Sequence, residues 1–229
     1  MSRRAAQAPG CKTHDMVLVH RVFHREFRLL AEIVEATAPT DTEQVTRVSA
    51  HAREMLAALH HYHSNEHELI WPKLLSAEVD SALIDRIQIQ HEQIDATMRR
   101  VDSELSEWEH QGGAETADLL VDGLRRLHAE LTEHLRLKED SVLPIVAETL
   151  TASEWAELGK RGMASFSKGR ALVFLGHIAE EADEREWSEF VRAIPAPVRL
   201  LYRVLGRRGH ARETTLLRRD LRTVGKVGK

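Results

Sequence analysis

The sequence predicts an all-α protein: an antiparallel, up-down-up-down four-helix bundle with extra short helices at its C-terminal end. Three observations predict it. Apolar residues recur at helical spacing through four long segments, and strand signals are nearly absent. Short connections carrying Pro or Gly separate the segments, which makes successive helices antiparallel neighbours. Fourteen histidines are present, twelve of them before residue 135. Histidine fills helices poorly and binds metals well, so its enrichment inside these segments points to a metal site in a bundle core.

The first helix is expected over 13–37, ending before Pro39. The second runs over 40–77. It opens on Thr40-Asp41-Thr42-Glu43, which has capping-box spacing, and carries a kink at Pro72. A third spans 80–110 and stops at Gln111-Gly112-Gly113. The fourth covers 115–150 with an interior Pro144. Residues 13–150 thus form the bundle. Thr151-Ala152-Ser153-Glu154 has capping-box spacing again and opens a helical extension, 151–206, packed on the bundle. Its helices are expected at 152–163, 167–182, 184–193 and, after the turn Pro195-Ala196-Pro197, in an amphipathic stretch at 198–206. Residues 207–229 are basic and poor in aromatics, and read as a mobile tail. Residues 62–72 and 134–144 echo each other weakly, each with an acid four or five residues in and a proline at the end.

The composition is that of an ordinary soluble globular chain: 42% apolar and 30% charged residues over 229. A net charge of -4 argues against nucleic acid as the bundle's partner. Charge is uneven, however: residues 199–229 hold ten Lys or Arg against two acids. Cys11 is the only cysteine, so no internal disulfide forms and a reducing, cytoplasmic location is expected. The first twelve residues lack the apolar stretch of a signal peptide, and no apolar run approaches the roughly 18 residues of a transmembrane span.

Candidate ligands follow from the angle of each residue on its helix. His20 falls roughly 35° from the centre of the apolar stripe of the first helix, and His24 roughly 75°. On the second helix His63 and Glu66 flank the stripe centre at roughly 30° each, with Tyr62 and His67 farther out. Glu66 is the strongest clue, because an ionised carboxylate in an apolar stripe needs a partner or a metal. The third helix repeats Ile84, His91, Met98 and Leu105 at seven-residue steps, so His91 faces inward; Asp95 lies one turn later, nearer the edge. The fourth places His134 roughly 57° to one side of its stripe and Glu139 roughly 80° to the other. Lys138 stands near the stripe centre, where it snorkels outward or pairs with Glu66 in place of a metal. Each residue alone reads as a satisfied core group or a solvated one. Four inward histidines with two carboxylates on facing helices are how bundle cores hold two metal ions. Imidazole and carboxylate without thiolate suit iron, manganese or zinc.

These residues resemble the hemerythrin-like, HHE cation-binding family over about residues 13–150. The similarity lies in His20-Arg21-Val22-Phe23-His24, in 59–72 from Leu59-His60-His61-Tyr62-His63 through Glu66-His67-Glu68-Leu69-Ile70-Trp71-Pro72, in Gln90-His91-Glu92, and in His134-Leu135 through Glu139-Asp140-Ser141-Val142-Leu143-Pro144. The resemblance implies a left-handed four-helix bundle with an oxo- or hydroxo-bridged di-iron centre. It assigns as ligands His20, Glu66, His91, His134 and Glu139. This chain departs from the pattern at three places. Tyr62 stands four residues before Glu66, where a histidine is expected, so either Tyr62 or the better-angled His63 serves there. Lys138 stands where a second acid is common, and Asp95 where a second histidine often stands.

Three functional readings follow. The leading one is a di-iron protein that binds or senses O2, NO or peroxide, with Glu66 and Glu139 bridging the irons and Lys138 directed away toward a bundle edge. Another is a peroxide-decomposing di-iron oxidoreductase, which spacing alone does not separate from simple binding. The third is a metal-poor bundle in which Lys138 neutralises Glu66 and the extension serves as an interaction module.

Overall fold

The computed structural model describes residues 10–77 and 80–221, and all of its regular structure is helical. Among the described residues no strand forms; a single β-bridge joins Gly10 to Thr151. Four long helices build the bundle: α1 (His14–Ala36), α2 (Thr42–Leu69), α4 (Ser81–Gln111) and α5 (Ala114–Leu137). Each packs on two others, α1 on α2 and α5, and α4 on the same two. Cross-helix pairs run in opposite sequence order. Between α1 and α5, His24 meets His128 and Glu35 meets Arg125. Between α4 and α5, His91 meets His134 while Glu104 abuts Gly123.

Local chemistry explains the boundaries. Asp41, not Thr40, caps α2 by accepting from the Gln44 amide; the Gln44 side chain bonds Leu217 and Arg47 instead, so the box read at Thr40 is replaced by a single cap one residue later. Gly112 and Gly113 take positive φ (62° and 96°), conformations open to glycine at little cost, and end α4 sharply. The second and fourth long helices are broken rather than continuous. Ile70 separates α2 from α3 (Trp71–Ser76), with Pro72 in the first turn of α3, where its missing N–H costs nothing. After α5 the chain widens into a π-helical turn, Lys138–Val142, before α6 (Leu143–Thr149), which carries Pro144 in its first turn. Such single π turns concentrate at functional sites. Here it lies beside the buried histidines.

The extension comprises α7 (Ala152–Ala164), α8 (Lys168–Glu181), α9 (Glu184–Arg192), α10 (Ala196–Leu201), a second π-helical turn (Tyr202–Gly206) and α11 (Arg207–Leu217). Thr151 and Glu154 form the expected capping box of α7. Asp183 and Glu186 do the same for α9. Where the sequence reads as mobile from residue 207, the chain instead forms α11 and packs on α8 and α2. The reason is polar as well as apolar. The Gln44 side chain donates to the Leu217 carbonyl at 2.8 Å, and Leu217 is buried. Arg170 binds Glu54 of α2 and Glu213 of α11 together. Arg218 reaches Glu26 and Glu180. Residues 222–229 of the expected tail lie outside the described residues.

Two apolar clusters fill the interior. One runs along the bundle from Val22, Phe27 and Trp108 to Phe174 of α8; the other gathers Trp71, Ile87, Val146 and Trp155 at the bundle end. Tyr62 packs against both.

Two expectations follow for the extension. At Gly176 a Cβ would lie 2.4 Å from Cγ of His210 on α11, so Gly176→Ala forces α8 and α11 apart. A loss of about 1–3 kcal/mol in urea denaturation, with new proteolytic cleavage in 207–217, is expected, although alanine ordinarily favours a helix. The second concerns pH. Burial pushes His51 down, but bonds to Glu213 and Glu26 outweigh it and raise it from 6.5 to about 9. Burial pushes Glu26 up, but hydrogen bonds from His177 and His51 hold it well below 4.5. The His51 contribution is therefore complete below about pH 6.5 and lost as pH rises through 9. That of Glu26 is complete above 4.5 and lost on acidification. Protection of the α11 amides, taken relative to their intrinsic exchange rate, should be highest at about pH 5–6 and fall as pH rises from about 6.5 through 9, leaving Arg218 as the charged tie from α11 to Glu26. An exchange protection flat from pH 6 to 10 contradicts this.

Candidate metal centre

Three histidines from three helices meet in the interior: His63 (α2), His91 (α4) and His134 (α5), at 4%, 3% and 0% exposure. One nitrogen from each lies within 4.8 Å of the others. His91 Nε2 and His134 Nε2 are 3.1 Å apart. Both nitrogens of His63 lack a hydrogen-bond partner, as does Oε2 of Glu66, which sits one turn along α2 and 3.8 Å from His91 Nε2. Orphaned buried acceptors are costly, so a group of them facing one another fits a cation that completes them.

Proton placement agrees. Gln90 Oε1 lies 3.1 Å from His134 Nδ1 and can only accept, so His134 carries its proton on Nδ1 and turns a lone pair at Nε2 inward. This is the outer hydrogen bond that orients metal-binding imidazoles. His67, exposed on α2, meets His91 Nδ1 at 3.1 Å and can fix that ring in the same way. Burial drives all three imidazoles toward the neutral, ligating form. His63 falls well below its usual value, His91 to about 3 and His134 lower still, with the Lys138 charge adding to the effect.

The other half of the expected constellation is built differently. His20, buried on α1, lies 2.7 Å from Glu139 Oε1 through Nδ1 and 2.7 Å from the Tyr62 hydroxyl through Nε2. Lys138 is 1% exposed and extends inward. Its Nζ donates to Glu66 Oε1 and to the Tyr62 hydroxyl, and sits 4.2 Å from the Tyr62 ring centre. The expectation that Lys138 leaves the site for a bundle edge is therefore corrected. Glu66, at 1% exposure, needs a counter-charge, and the chain at Lys138 enters the π turn pointing toward it. A donor-only ammonium fixes the rest of the chain of bonds. The Tyr62 oxygen accepts from Lys138, its proton faces His20 Nε2, and His20 Nδ1–H donates to Glu139. Glu139 remains partly exposed (35% of its side chain) on a cleft that also receives His24, Arg28 and Arg136, away from the three histidines. His24 pairs with His128 across α1 and α5 at 3.1 Å. Asp95 is half-buried one turn past His91 and joins none of the metal-competent groups among the described residues.

A cavity of about 120 Å³ lies on the far side of Tyr62, between α1 and α2 on one side and α7, α8 and α9 on the other, and none of the three histidines lines it. Phe23, Phe166, Phe174 and Phe190 line it, and Tyr62 forms the wall toward the histidines. Its lining is mostly apolar, with Asp15, Asn65 and Ser165 among it. Gly159 and Gly162 of α7 border it, and a Cβ on either would meet nothing within 4 Å. Close packing therefore does not require these two glycines, which weaken α7 while leaving the space open.

Sequence reasoning missed a second polar cluster. Glu26, His51 and His177, all buried, bring a ligand-type atom each within 4.8 Å of the others. Arg25 and Arg218 already bind Glu26, so the cluster is charge-compensated and holds α8 and α11 to the bundle. Glu26 beside Phe27 and His51 beside Ala52 carried the signal, since both adjoin apolar stripes.

A family model described as the hemerythrin HHE cation binding domain matches residues 11–146, and the chain belongs to that family. No curated protein and no solved structure gives a match.

The buried pair yields a test. Lys138→Met strands the Glu66 carboxylate, and metal-free protein should lose about 3–5 kcal/mol in urea denaturation. Adding Glu66→Gln should recover most of that loss, because replacing both members of a buried pair is often near neutral. A single variant as stable as the parent would show that the contact carries no stability.

Proposed function

We propose that this protein is a cation-binding bundle holding one metal ion per chain at His63, His91, His134 and Glu66, with the Lys138 ammonium standing where a two-ion centre would place its second ion. One observation carries this reading: the buried Lys138–Glu66–Tyr62 contact. A second cation between Glu66, His20 and Glu139 would sit beside that ammonium in a water-poor interior, where like charges repel strongly. The first position has the opposite character, with unpartnered nitrogens and one free carboxylate oxygen. The residues present therefore fit one ion and not two while Lys138 is charged, which departs from the di-iron expectation.

Imidazoles with a single carboxylate and open positions suit non-haem iron(II), and manganese or zinc next. When bound, the metal would supply an electrophilic position for a small ligand; O2, NO and peroxide are the class proposed. The chain's own residues shape the rest. Gln90 and His67 orient the imidazoles, and Lys138 holds a positive charge and a proton donor beside the centre. The phenylalanine-lined cavity beside Tyr62 favours an uncharged diatomic molecule over an ion.

The test is metal stoichiometry after anaerobic loading with iron(II), zinc or manganese and desalting. About one ion per chain is expected, falling to near zero in His134→Ala. Lys138→Glu should raise it toward two. Two ions in the parent would overturn the single-ion reading. No ion in the parent, with binding restored by Lys138→Glu, would favour the third reading, a bundle kept as an interaction module. Peroxide consumption by the loaded parent separates turnover from simple binding.

A further inference from the structure

The segment from α10 through the second π turn is amphipathic in an inverted sense. Tyr202 and Gly206 face α8 and are buried. The opposite face carries Leu200, Leu201, Val204 and Leu205, at 62%, 48%, 49% and 57% exposure. Two pairs one turn apart make this a continuous stripe. Four of the eight large apolar side chains exposed among the described residues thus fall within six residues. Contiguous apolar patches on soluble proteins mark places where something docks. The segment packs inward through Val198 and Tyr202, and this stripe is left outside that contact.

The flanks say what docks there. Arg199, Arg203, Arg207 and Arg208 belong to or directly follow the same segment, and no carboxylate lies within ion-pair distance of any of them among the described residues, although Arg199, Arg203 and Arg207 line the cleft beside Tyr202 that also receives Asp183 and Glu184. Elsewhere in the same extension arginines are consumed in ion pairs: Arg170 with Glu54 and Glu213, Arg218 with Glu26 and Glu180. An apolar stripe rimmed by free guanidiniums matches a surface with an oily interior and anionic headgroups. A second copy of the chain fits worse, because a symmetric contact through this patch sets the same arginines against each other. Nucleic acid would leave the leucines against water or phosphate. No helix among the described residues is long and apolar enough to cross a membrane, so the mode is peripheral.

We propose that the face formed by Leu200, Leu201, Val204 and Leu205 with its flanking arginines docks this protein on an anionic lipid surface. The leucines enter the acyl boundary, and the arginines bind headgroup phosphates bidentately. The site is independent of the metal centre, so its test runs on metal-free full-length chain. Vesicles of phosphatidylcholine, with and without phosphatidylglycerol, serve as the probe in co-sedimentation. Binding is expected only with the anionic lipid and should weaken as salt rises.

Leu200→Glu with Leu205→Glu alters exposed side chains only, so helicity should hold while vesicle binding is lost. Arg203→Gln with Arg207→Gln should weaken binding several-fold and flatten its salt dependence. Equal binding to neutral and anionic vesicles, or full binding by the double-Glu variant, overturns the proposal. So does a sedimenting dimer in solution that the double-Glu variant dissolves, since the face would then belong to a second copy. Retention on nucleic acid without vesicle binding overturns it as well.

Discussion

The interior of the bundle is organised by one carboxylate. Glu66 lies at 1% exposure with a separate demand on each oxygen: Oε1 faces the Lys138 ammonium, and Oε2 faces the histidines with no partner. An ionised carboxylate cannot stay at that depth alone. Lys138 supplies the compensating charge without metal, and so allows the apoprotein to fold around its own site. Its cost is desolvation of a second charge, which lowers the Lys138 pKa even as Glu66 raises it. What remains after this compensation is an asymmetric centre. One side is a set of neutral nitrogens with lone pairs to offer; the other is a fixed positive charge bonded through Tyr62 and His20 to Glu139.

Backbone irregularity lets these residues meet. A continuous α-helix through 115–150 would keep its register past Leu137. Lys138 still keeps the α register, its N–H on the His134 carbonyl, and reaches Glu66, while the adjacent Glu139, inside the wider π turn, reaches His20. Ile70 interrupts α2 just after Glu66, and Trp71 then packs 6.2 Å from the His91 ring. Both breaks precede a proline placed in the first turn of the next helix, where it is tolerated. The weak echo between residues 62–72 and 134–144 thus corresponds to two similar helix interruptions beside one site.

The all-helical class and the inward direction of His20, His63, Glu66, His91 and His134 were legible, because periodicity within one helix reports which way a side chain faces. Which inward residues touch each other was less so. The wheel set Lys138 near the stripe centre, yet its choice between snorkelling and pairing with Glu66 depended on a partner on another helix that no local pattern announced. Glu139 stood on the edge of its stripe, and only the partner on α1 decides that it bonds His20 in a solvent-facing cleft. Glu26, His51 and His177 went unread for a related reason. Their cluster closes across more than a hundred residues, and each alone looks like a polar group beside a stripe. Residues 207–217, read as mobile on composition, form α11. Few apolar side chains suffice there, because Arg170, Arg218 and Gln44 tie α11 to the bundle through charges and one carbonyl.

That tie has a consequence for the centre. α8 sits over Phe23 and, with α7 and α9, closes the apolar cavity whose inner wall is Tyr62. The contacts that hold α8 in place, Glu26 with His51 and His177, are the same ones that anchor α11 through Arg218. The cover over Tyr62 therefore depends on ion pairs one turn along the same α8-facing side of α1. Any force applied to α11 from outside acts on the same few side chains that hold α8 over Phe23. The bundle thus carries the inward histidines, and the helices after residue 151 cover the Tyr62 side of them.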